Sequence, residues 1–257
     1  MAVAATGLNI TAPEAVVIDG WTGHVLFTRA ASVPRYPAST AKIMTALVVL
    51  RRHVSFKRIV TVSPYAASMG GSTAGLYAGE KLTLWDLLHA LMLPSGNDAA
   101  EAVAEFISLD PGKFVNLMNS TAIQIGLRHT RFLTPSGVDE AEQYTTARDL
   151  ARLARVAMQI PAFESIVRHE WWTAHPLNGG TQTWRNLNQL LWWSHAVDGV
   201  KTGTTNGAGA CLVSSAHRAG RWVIAVNLGS LVSARFADAM ALLDYGFRAG
   251  STLPSTR

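Results

Sequence analysis

The sequence predicts an α+β fold in which both ends of the chain build one antiparallel sheet, flanked by helices, with a helical lobe inserted. Two observations predict it. Short apolar runs on either side of glycine-containing turns occur near both ends of the chain, and segments with helical spacing of apolar residues fill the middle. We therefore expect a single domain over residues 1–257 with a sheet lobe at about 1–59 and 151–257 and a helical lobe at about 60–150.

The first predicted elements are a β-hairpin and an apolar helix. Two apolar runs, at residues 15–18 and 24–27, flank a turn with two glycines, which is typical of a hairpin. Pro37 sets the direction of the chain before a helix over residues 39–53. Residues 43–50 are apolar except for one threonine, so we expect this helix to be buried.

Four helices are predicted in the middle of the chain. Thr83 is the expected N-cap of the first, because Asp86 follows it at capping-box spacing. Thr146 opens the last of them in the same way. The four helices cover residues 83–92, 97–107, 111–126 and 146–159.

The last predicted elements are a second hairpin and a closing helix. Residues 210–216 and 222–228 flank a short polar turn that contains a glycine. Residues 200–205 are interpreted as the end of a strand that lines a cleft, and a helix is predicted over residues 234–247.

Composition indicates a globular chain and does not favour a nucleic-acid partner. Hydrophobic residues make up 49% and charged residues 15% of the chain, enough for a core and too apolar for disorder. The net charge is +5. The basic residues form no long block, since the densest groups are Arg51-Arg52 and Lys57-Arg58. A solvated basic surface is therefore favoured over nucleic-acid binding.

Other features limit the function further. Cys211 is the only cysteine, so no intrachain disulfide forms, and we interpret it as a small buried hydrophobe. The eight histidines lack the paired spacing of a metal site, so we expect no metal and no cofactor. No apolar run approaches the roughly 18 residues of a membrane span. No basic-then-apolar leader begins at Met1, so we expect a mature or trimmed form. The tryptophans between residues 171 and 193 are interpreted as packing residues, with stacking on sugar rings as the alternative.

A serine and a lysine stand at the head of the apolar helix. In Ser39-x-x-Lys42 the lysine follows one turn later on the same helical face. A serine hydroxyl is a poor nucleophile until a base removes its proton, and a lysine with a lowered pKa can be that base. The alternative is an ordinary N-cap serine with a surface lysine, but the apolar run after Lys42 argues against exposure.

A second motif, Ser95-Gly96-Asn97, lies between two predicted helices. Ser95 could pass a proton between the lysine and a leaving group, and the Asn97 amide carries both a donor and an acceptor for a peptide-like substrate. Taken alone, an ordinary helix–loop–helix turn is the favoured interpretation, because serine, glycine and asparagine are common in turns.

A third motif is Lys201-Thr202-Gly203, followed by Thr204. Lys201 offers positive charge, Thr202 a donor for a carboxylate, and Gly203 space for a substrate backbone. The backbone N–H groups of Thr204 and Ser39 are candidates for an oxyanion hole. Taken alone, a strand that ends in a polar turn explains this motif equally well.

The three motifs together resemble the set shared by penicillin-binding proteins and class A β-lactamases. Further stretches resemble serine-type D-alanyl-D-alanine carboxypeptidases, the low-molecular-mass penicillin-binding proteins. The likeness covers residues 15–248, and its strongest parts are residues 37–50, 79–100, 129–139, 144–150 and 198–205. A class A β-lactamase is disfavoured, because Trp184 stands three residues before Leu187-Asn188, where those enzymes need a glutamate.

The resemblance implies the penicillin-recognising serine transferase fold and an extracytoplasmic bacterial enzyme. Its expected reaction removes the terminal D-alanine from the peptidoglycan stem pentapeptide through a Ser39 acyl-enzyme, and β-lactams would acylate the same serine. Catalytic roles are implied for Ser39, Lys42 and Ser95. Substrate contacts are implied for Asn97, Lys201, Thr202, Gly203, Thr204 and, after the last strands, Arg235.

Other functions stay open at this point. A D,D-transpeptidase or endopeptidase differs only in the acceptor or the bond that is cut. A penicillin-sensing module would acylate with little turnover, and a degenerate wall-binding domain is disfavoured because no motif residue is missing. Many relatives carry a further β-rich domain and an amphipathic membrane helix, whereas this sequence ends soon after Arg248, so no membrane anchor is visible in it.

Overall fold

The computed structural model describes residues 8–249. The prediction of no leader at Met1 lies outside the described residues. The strands are β1 (Glu14–Asp19), β2 (Val25–Arg29), β3 (Ile59–Thr61), β4 (Lys81–Thr83), β5 (Trp171–Ala174), β6 (Gln182–Arg185), β7 (Val197–Thr205), β8 (Gly209–Arg218) and β9 (Arg221–Ser230). The helices are α1 (Lys42–Leu50), α2 (Pro64–Ala67), α3 (Leu84–Met92), α4 (Asn97–Ser108), α5 (Pro111–Gln124), α6 (Ala147–Met158), α7 (Pro161–Arg168), α8 (Leu190–Trp193) and α9 (Arg235–Ala249).

Both ends of the described chain build one five-stranded sheet. Its strand order is β2-β1-β9-β8-β7, and every neighbouring pair is antiparallel. The middle strand joins the two ends, because Val16 of β1 lies opposite Val226 of β9. The predicted α+β fold with an antiparallel sheet from both termini is confirmed.

The sheet is buried on both faces. Val16 and Ile18 pack into a large cluster with α1, α3, α4 and α6, while Ala15 and Val17 pack into a second cluster with α9. This alternation is the two-residue period of a strand, and it places apolar side chains on both sides because helices cover both. Strand β7, which carries the third motif, therefore belongs to a sheet that is packed on both faces.

The predicted helices and hairpins are largely confirmed, including two caps. Thr83 Oγ1 accepts from the backbone N–H of Asp86 at 3.1 Å, and Thr146 Oγ1 accepts from that of Asp149 at 3.1 Å. Each hydroxyl thus satisfies a donor that the helix leaves unpaired.

The prediction of one helix over residues 39–53 is wrong at both ends. Residues Ala38–Ala41 form a 3₁₀ turn, since the N–H and the hydroxyl of Thr40 both donate to Pro37 O. The α-helix begins only at Lys42 and ends at Leu50. Beyond it, His53 has a φ of +53°, which no α-helix accommodates.

Several short elements were not predicted from the sequence: α2, α7, α8, the two-stranded sheet of β3 and β4, and the β5–β6 hairpin. The β5–β6 hairpin packs toward the helices, because Trp184 Nε1 donates to Ala74 O at 2.8 Å and Trp172 Nε1 to Asp86 Oδ1 at 2.8 Å. The packing interpretation is confirmed for these two tryptophans, whereas Trp171 and Trp193 are 52% and 56% exposed. The division into two lobes stays a prediction.

Cys211 is fully buried on β8, as expected of a small hydrophobe. Across the part of the chain that the structure describes, none of the helices is both long and apolar enough to cross a lipid bilayer.

Candidate active site

The head of α1 brings Ser39 and Lys42 together. Lys42 has no exposed surface, and its Nζ lies 3.1 Å from Ser39 Oγ. The same nitrogen donates to Asn97 Oδ1 at 2.7 Å and to Ser136 O at 2.9 Å. When the amine is neutral, it has two N–H groups for Asn97 and Ser136, which leaves its lone pair for the Ser39 hydroxyl.

Asn97 is held at both ends of its side-chain amide and at its backbone N–H. Its Nδ2 donates to Gly70 O at 2.8 Å, and its backbone N–H donates to Ser72 O at 2.7 Å. The side-chain amide is thus engaged with Lys42 at one end and with the loop of residues 70–76 at the other.

The next residue, Asp98, holds the same loop. Its carboxylate accepts from the backbone N–H of Ala74 at 2.9 Å and of Leu76 at 3.0 Å. It also accepts from the N–H of Ala99 in its own helix at 2.8 Å. The N-terminus of α4 therefore orders the loop that carries the acceptor for Asn97.

The backbone of Ser136 and Gly137 lies against the Lys42 amine and the turn that carries Ser39. Gly137 has a φ of +82°, and a Cβ added to it would lie 2.0 Å from Ala38 O and 2.8 Å from Ala41 Cβ. The turn that carries Ser39 therefore lies directly against the Gly137 backbone. Only glycine allows this approach together with a positive φ.

Strand β7 also passes close to the backbone of Ser39. A Cβ added to Gly203 would lie 2.9 Å from Ser39 N and 3.0 Å from Ala38 Cβ. The lack of a side chain at Gly203 thus lets the strand approach the backbone of Ser39. Lys201 is 1% exposed, and its Nζ donates to Thr202 O at 3.2 Å.

Arg235, the first residue of α9, reaches the end of this strand. Its Nη1 donates to Thr204 Oγ1 at 2.6 Å and lies 3.4 Å from Gly203 O. Thr204 Oγ1 donates in turn to Gly203 O at 2.8 Å. The guanidinium is therefore part of the cluster formed by the third motif.

Burial and neighbouring positive charges lower the pKa values of the two buried lysines. Burial, with a smaller contribution from the charge of Lys201, holds the pKa of Lys42 well below its ordinary value, and Asp98 partly opposes this. Burial, followed by the charge of Arg235, lowers the pKa of Lys201 to about 7. The lowered pKa favours the neutral form of the Lys42 amine, which can accept a proton, and the charge of Lys201 is only partial at neutral pH.

Ser95 lies at the turn before α4 and has a φ of +66°. Its Oγ is buried, and no hydrogen-bond partner for it is found within residues 8–249. A buried hydroxyl without a partner costs free energy, so this oxygen is available to a ligand.

Hydrogen bonds join most of the predicted site residues into two groups. One group runs from Ser39 through Lys42 to Asn97. The other runs from Gly203 through Thr204 to Arg235. Sequence reasoning missed the Ser136 carbonyl, Gly137 and Asp98. The one available signal was the Ser136-Gly137 pair, since a glycine after serine indicates a turn.

Comparison with known proteins agrees with this geometry. A family model described as D-alanyl-D-alanine carboxypeptidase matches residues 1–231. The chain is 37% identical over 251 residues to D-alanyl-D-alanine carboxypeptidase DacF of Bacillus subtilis and covers 95% of itself and 64% of that protein. It is 36% identical over 263 residues to a D-alanyl-D-alanine carboxypeptidase of Streptomyces sp. strain K15, covering 96% of itself and 90% of that protein.

Solved structures agree as well. The Streptomyces K15 DD-transpeptidase matches with a TM-score of 0.88 at 35% identity, over 93% of this chain and 98% of that one. DacD of Francisella tularensis, a D-alanyl-D-alanine carboxypeptidase, matches with a TM-score of 0.86 at 30% identity, over 95% and 72%. These matches confirm the fold that the sequence resemblance implied. A chain with this fold that matches the family model over most of its length belongs to the D-alanyl-D-alanine carboxypeptidase family.

Proposed function

We propose that the protein is a serine-type D,D-carboxypeptidase that removes the terminal D-alanine from the stem pentapeptide of peptidoglycan, outside the bacterial cytoplasm. The observation that carries the proposal is the 3.1 Å contact between Ser39 Oγ and Nζ of the fully buried Lys42. A serine beside a lysine with a lowered pKa is an activated nucleophile, because the lysine can remove the hydroxyl proton. The reaction needs no metal and no cofactor.

In the first step, Ser39 Oγ attacks the carbonyl carbon of the penultimate D-alanine. The hydroxyl proton moves to Lys42 Nζ, and a tetrahedral intermediate forms with its negative oxygen near the backbone N–H groups of Ser39 and Thr204. The close approach of Gly203 to Ser39 N supports this oxyanion hole.

In the second step, the C–N bond breaks and the terminal D-alanine leaves. Its nitrogen takes a proton, which we assign to Lys42 with Ser95 as the relay. The unpartnered, buried Oγ of Ser95 supports a role in which this hydroxyl gains its partners only from the substrate and the proton path. Water then hydrolyses the Ser39 ester and regenerates the hydroxyl.

The carboxylate of the terminal D-alanine requires a cationic and donor-rich pocket. We assign Lys201, Thr202, Thr204 and Arg235 to it, and Asn97 to the peptide amide. The contact between Arg235 Nη1 and Thr204 Oγ1 supports the pocket, because it places the guanidinium at the end of β7. A bound carboxylate would also raise the pKa of Lys201 from about 7 and restore its full charge.

Penicillins are proposed as covalent inhibitors of the same serine, since their strained ring amide offers an equivalent carbonyl. The test is mass spectrometry of peptides after incubation with a labelled penicillin, with a D-alanine release assay in parallel. We expect the label on the peptide that contains Ser39 and none on Ser39→Ala. The matched control is Ser120→Ala, an exposed helical serine whose Oγ donates to Leu117 O. An adduct on another residue of folded protein would contradict the assignment.

Transpeptidation is a second candidate, because the Streptomyces relative carries both names, carboxypeptidase and DD-transpeptidase. The pentapeptide assay separates the two reactions when an amino acceptor is added. D-Alanine release with a hydrolysed product supports the carboxypeptidase, a product joined to the acceptor supports the transpeptidase, and a stable adduct without turnover supports a penicillin sensor.

A further inference from the structure

A cavity of about 700 Å³ lies away from the residues assigned above, between the β1–β2 turn, the C-terminal end of α5 and one face of α6. None of the residues that line this cavity belongs to the hydrogen-bonded group of Ser39, Lys42 and Asn97. Its main feature is a set of four arginines: Arg128, Arg148, Arg152 and Arg155.

Three of the four arginines belong to one helical stripe. Arg148, Arg152 and Arg155 of α6 are separated by four and three residues, so they lie on the same face of the helix. The opposite face packs into the core through residues such as Leu150 and Leu153. The sequence places these cations together only through the helical period, and they are not neighbours along the chain.

Little negative charge balances them. Asp149 is the one carboxylate among the described lining residues. It is buried, and its Oδ2 already accepts from the backbone N–H of His129 at 2.7 Å and from Thr130 Oγ1 at 2.8 Å. Like charges in one concave surface repel one another, so the cavity favours an anion.

Two of the guanidinium groups are held in place by backbone carbonyls. Arg155 donates to Gly20 O at 2.8 Å and to Trp21 O at 2.6 Å. Arg152 Nε donates to Ile125 O at the end of α5. Fixing these side chains in advance lowers the ordering cost when a ligand binds.

The other two arginines, Arg128 and Arg148, are exposed to solvent. For the side chains of Arg128 and Arg148, no hydrogen bond or ion pair with any residue in the range 8–249 is found. Arg148 also lies in the first turn of α6, where the helix dipole adds positive potential. These two donors are free to contact a ligand.

We propose that this cavity binds the phosphate group of a phosphate ester. A guanidinium presents a planar pair of donors that matches two phosphate oxygens, and several such forks can share one phosphate. The cavity exceeds what an inorganic phosphate fills, so it leaves room for the organic part of an ester or for a segment of a phosphodiester polymer. The site is independent of the proposed reaction at Ser39.

The test is titration calorimetry of the full chain with inorganic phosphate, glycerol 3-phosphate and poly(glycerol phosphate). The variant Arg128→Gln/Arg148→Gln removes the two free cations without breaking a contact. We expect it to lose affinity by about tenfold or more. The matched control is Arg51→Gln/Arg52→Gln, which removes the same net charge from an exposed pair outside the cavity, and we expect it to bind like the unmodified protein.

A second measurement does not depend on any variant. In the unmodified protein, phosphate should shift the NMR amide signals of residues 126–129 and 148, which line the cavity or adjoin its lining. Penicillin acylation of Ser39, measured in parallel, should be equal in all three proteins, which separates this proposal from the proposed reaction.

The outcomes decide both the site and the source of the phosphate. Tighter binding of the polymer than of glycerol 3-phosphate would indicate a wall or surface polymer, and equal binding would indicate a small ester. An equal loss of affinity in both double variants would mean that only net charge matters. That result, or shifts confined to other surfaces, or no binding of any probe, would overturn the proposal.

Discussion

Lys42 and Lys201 are both buried, yet their surroundings differ in a way that separates their proposed roles. Lys42 Nζ has three oxygen neighbours, on Ser39, Asn97 and Ser136. Lys201 Nζ has only Thr202 O within residues 8–249. The first lysine is positioned toward a hydroxyl, and the second has spare donors for an incoming anion.

The first prediction compares arginine at the two positions. Lys42→Arg should lose acylation by penicillin by about two decades or more, because arginine keeps its proton and cannot act as a base. Lys201→Arg should retain more acylation, since a cation still faces the anion. Second-order acylation rates, with circular dichroism to verify folding, provide the measurement. Equal losses in the two variants would contradict separate roles.

The second prediction concerns Arg235 and pH. The charge of Arg235 lowers the pKa of Lys201, so Arg235→Gln should raise that pKa. If protonated Lys201 binds the substrate carboxylate, activity falls as pH rises through this pKa. The basic limb of kcat/KM should therefore move to higher pH in Arg235→Gln, together with a raised KM.

The control for this shift is Arg218→Gln, which removes an exposed arginine paired with Asp244. Its profile should match that of the unmodified protein. A basic limb that stays in place in Arg235→Gln, or moves to lower pH, would show that the two cations are not coupled.

At the scale of elements, the position of Ser39 depends on a turn rather than on an α-helix. Ser39 lies in the 3₁₀ turn before α1, and the backbone at Gly137 and Gly203 supports that turn from two sides. The precise position of Ser39 Oγ therefore depends on the close approach of three separate segments.

The third prediction tests this support. Gly137→Ala should lower the acylation rate by about tenfold or more, because its Cβ would displace the Ala38 carbonyl, and a small misplacement of reacting groups is costly. Gly220→Ala is the matched control, since Gly220 has a similar φ of +77° but open space around it. Gly220→Ala should lose about 1 kcal/mol of stability from the positive φ. Gly137→Ala should lose more, because its Cβ also meets the Ala38 carbonyl, and only Gly137→Ala should lose rate. Rates that fall equally in both would contradict the steric explanation.

The elements also show why part of the site could not be predicted from the sequence. Ser39 and Lys42 share one helical turn, so their spacing alone places them together. Ser136 lies 94 positions from Lys42, and it contributes a backbone carbonyl, which every residue has. Neither periodicity nor residue type can identify such a partner. The short strands β3 to β6 were missed for a related reason, because three or four residues carry too little pattern.

At the scale of the whole molecule, the fold was predictable because its strongest patterns lie in its core. Val16 and Ile18 face one apolar cluster while Val17 faces the other. A run that is apolar on both faces indicates a strand covered by helices on both sides. The site of the four arginines was not predictable, because Arg128 joins the α6 stripe only through the packing of α5 against its neighbours.

The fourth prediction concerns the stability of the molecule. Glu101 is buried on α4, its Oε1 has no partner within residues 8–249, and burial, aided by the charge of Glu105, raises its pKa to about 7. The pKa of Glu101 is higher in the folded protein than in the unfolded chain. The contribution of this side chain to the free energy of unfolding is therefore complete below about pH 4.5, and it is lost as pH rises through 7 and the buried carboxyl ionises. Glu101→Gln should therefore be more stable than the unmodified protein at pH 8, by about 1–2 kcal/mol.

Denaturant unfolding at pH 8 and at pH 4.5 measures this effect, and the gain should shrink at the lower pH. Glu140→Gln, at an exposed glutamate, serves as the control and should show no such dependence. A gain of equal size at both pH values would mean that charge at Glu101 is not the cause.

The pairing of β1 with β9 also determines how late in biosynthesis the central sheet can form. Val16 and its partner Val226 are 210 positions apart, so at typical rates of translation the first hairpin leaves the ribosome roughly 10 to 40 seconds before its partner strand exists. During that interval the edge of β1 that pairs with β9 is open, and β7 is made only near its end. Until β9 has been made, the nascent chain therefore exposes the unpaired edge of β1, to which a chaperone can bind.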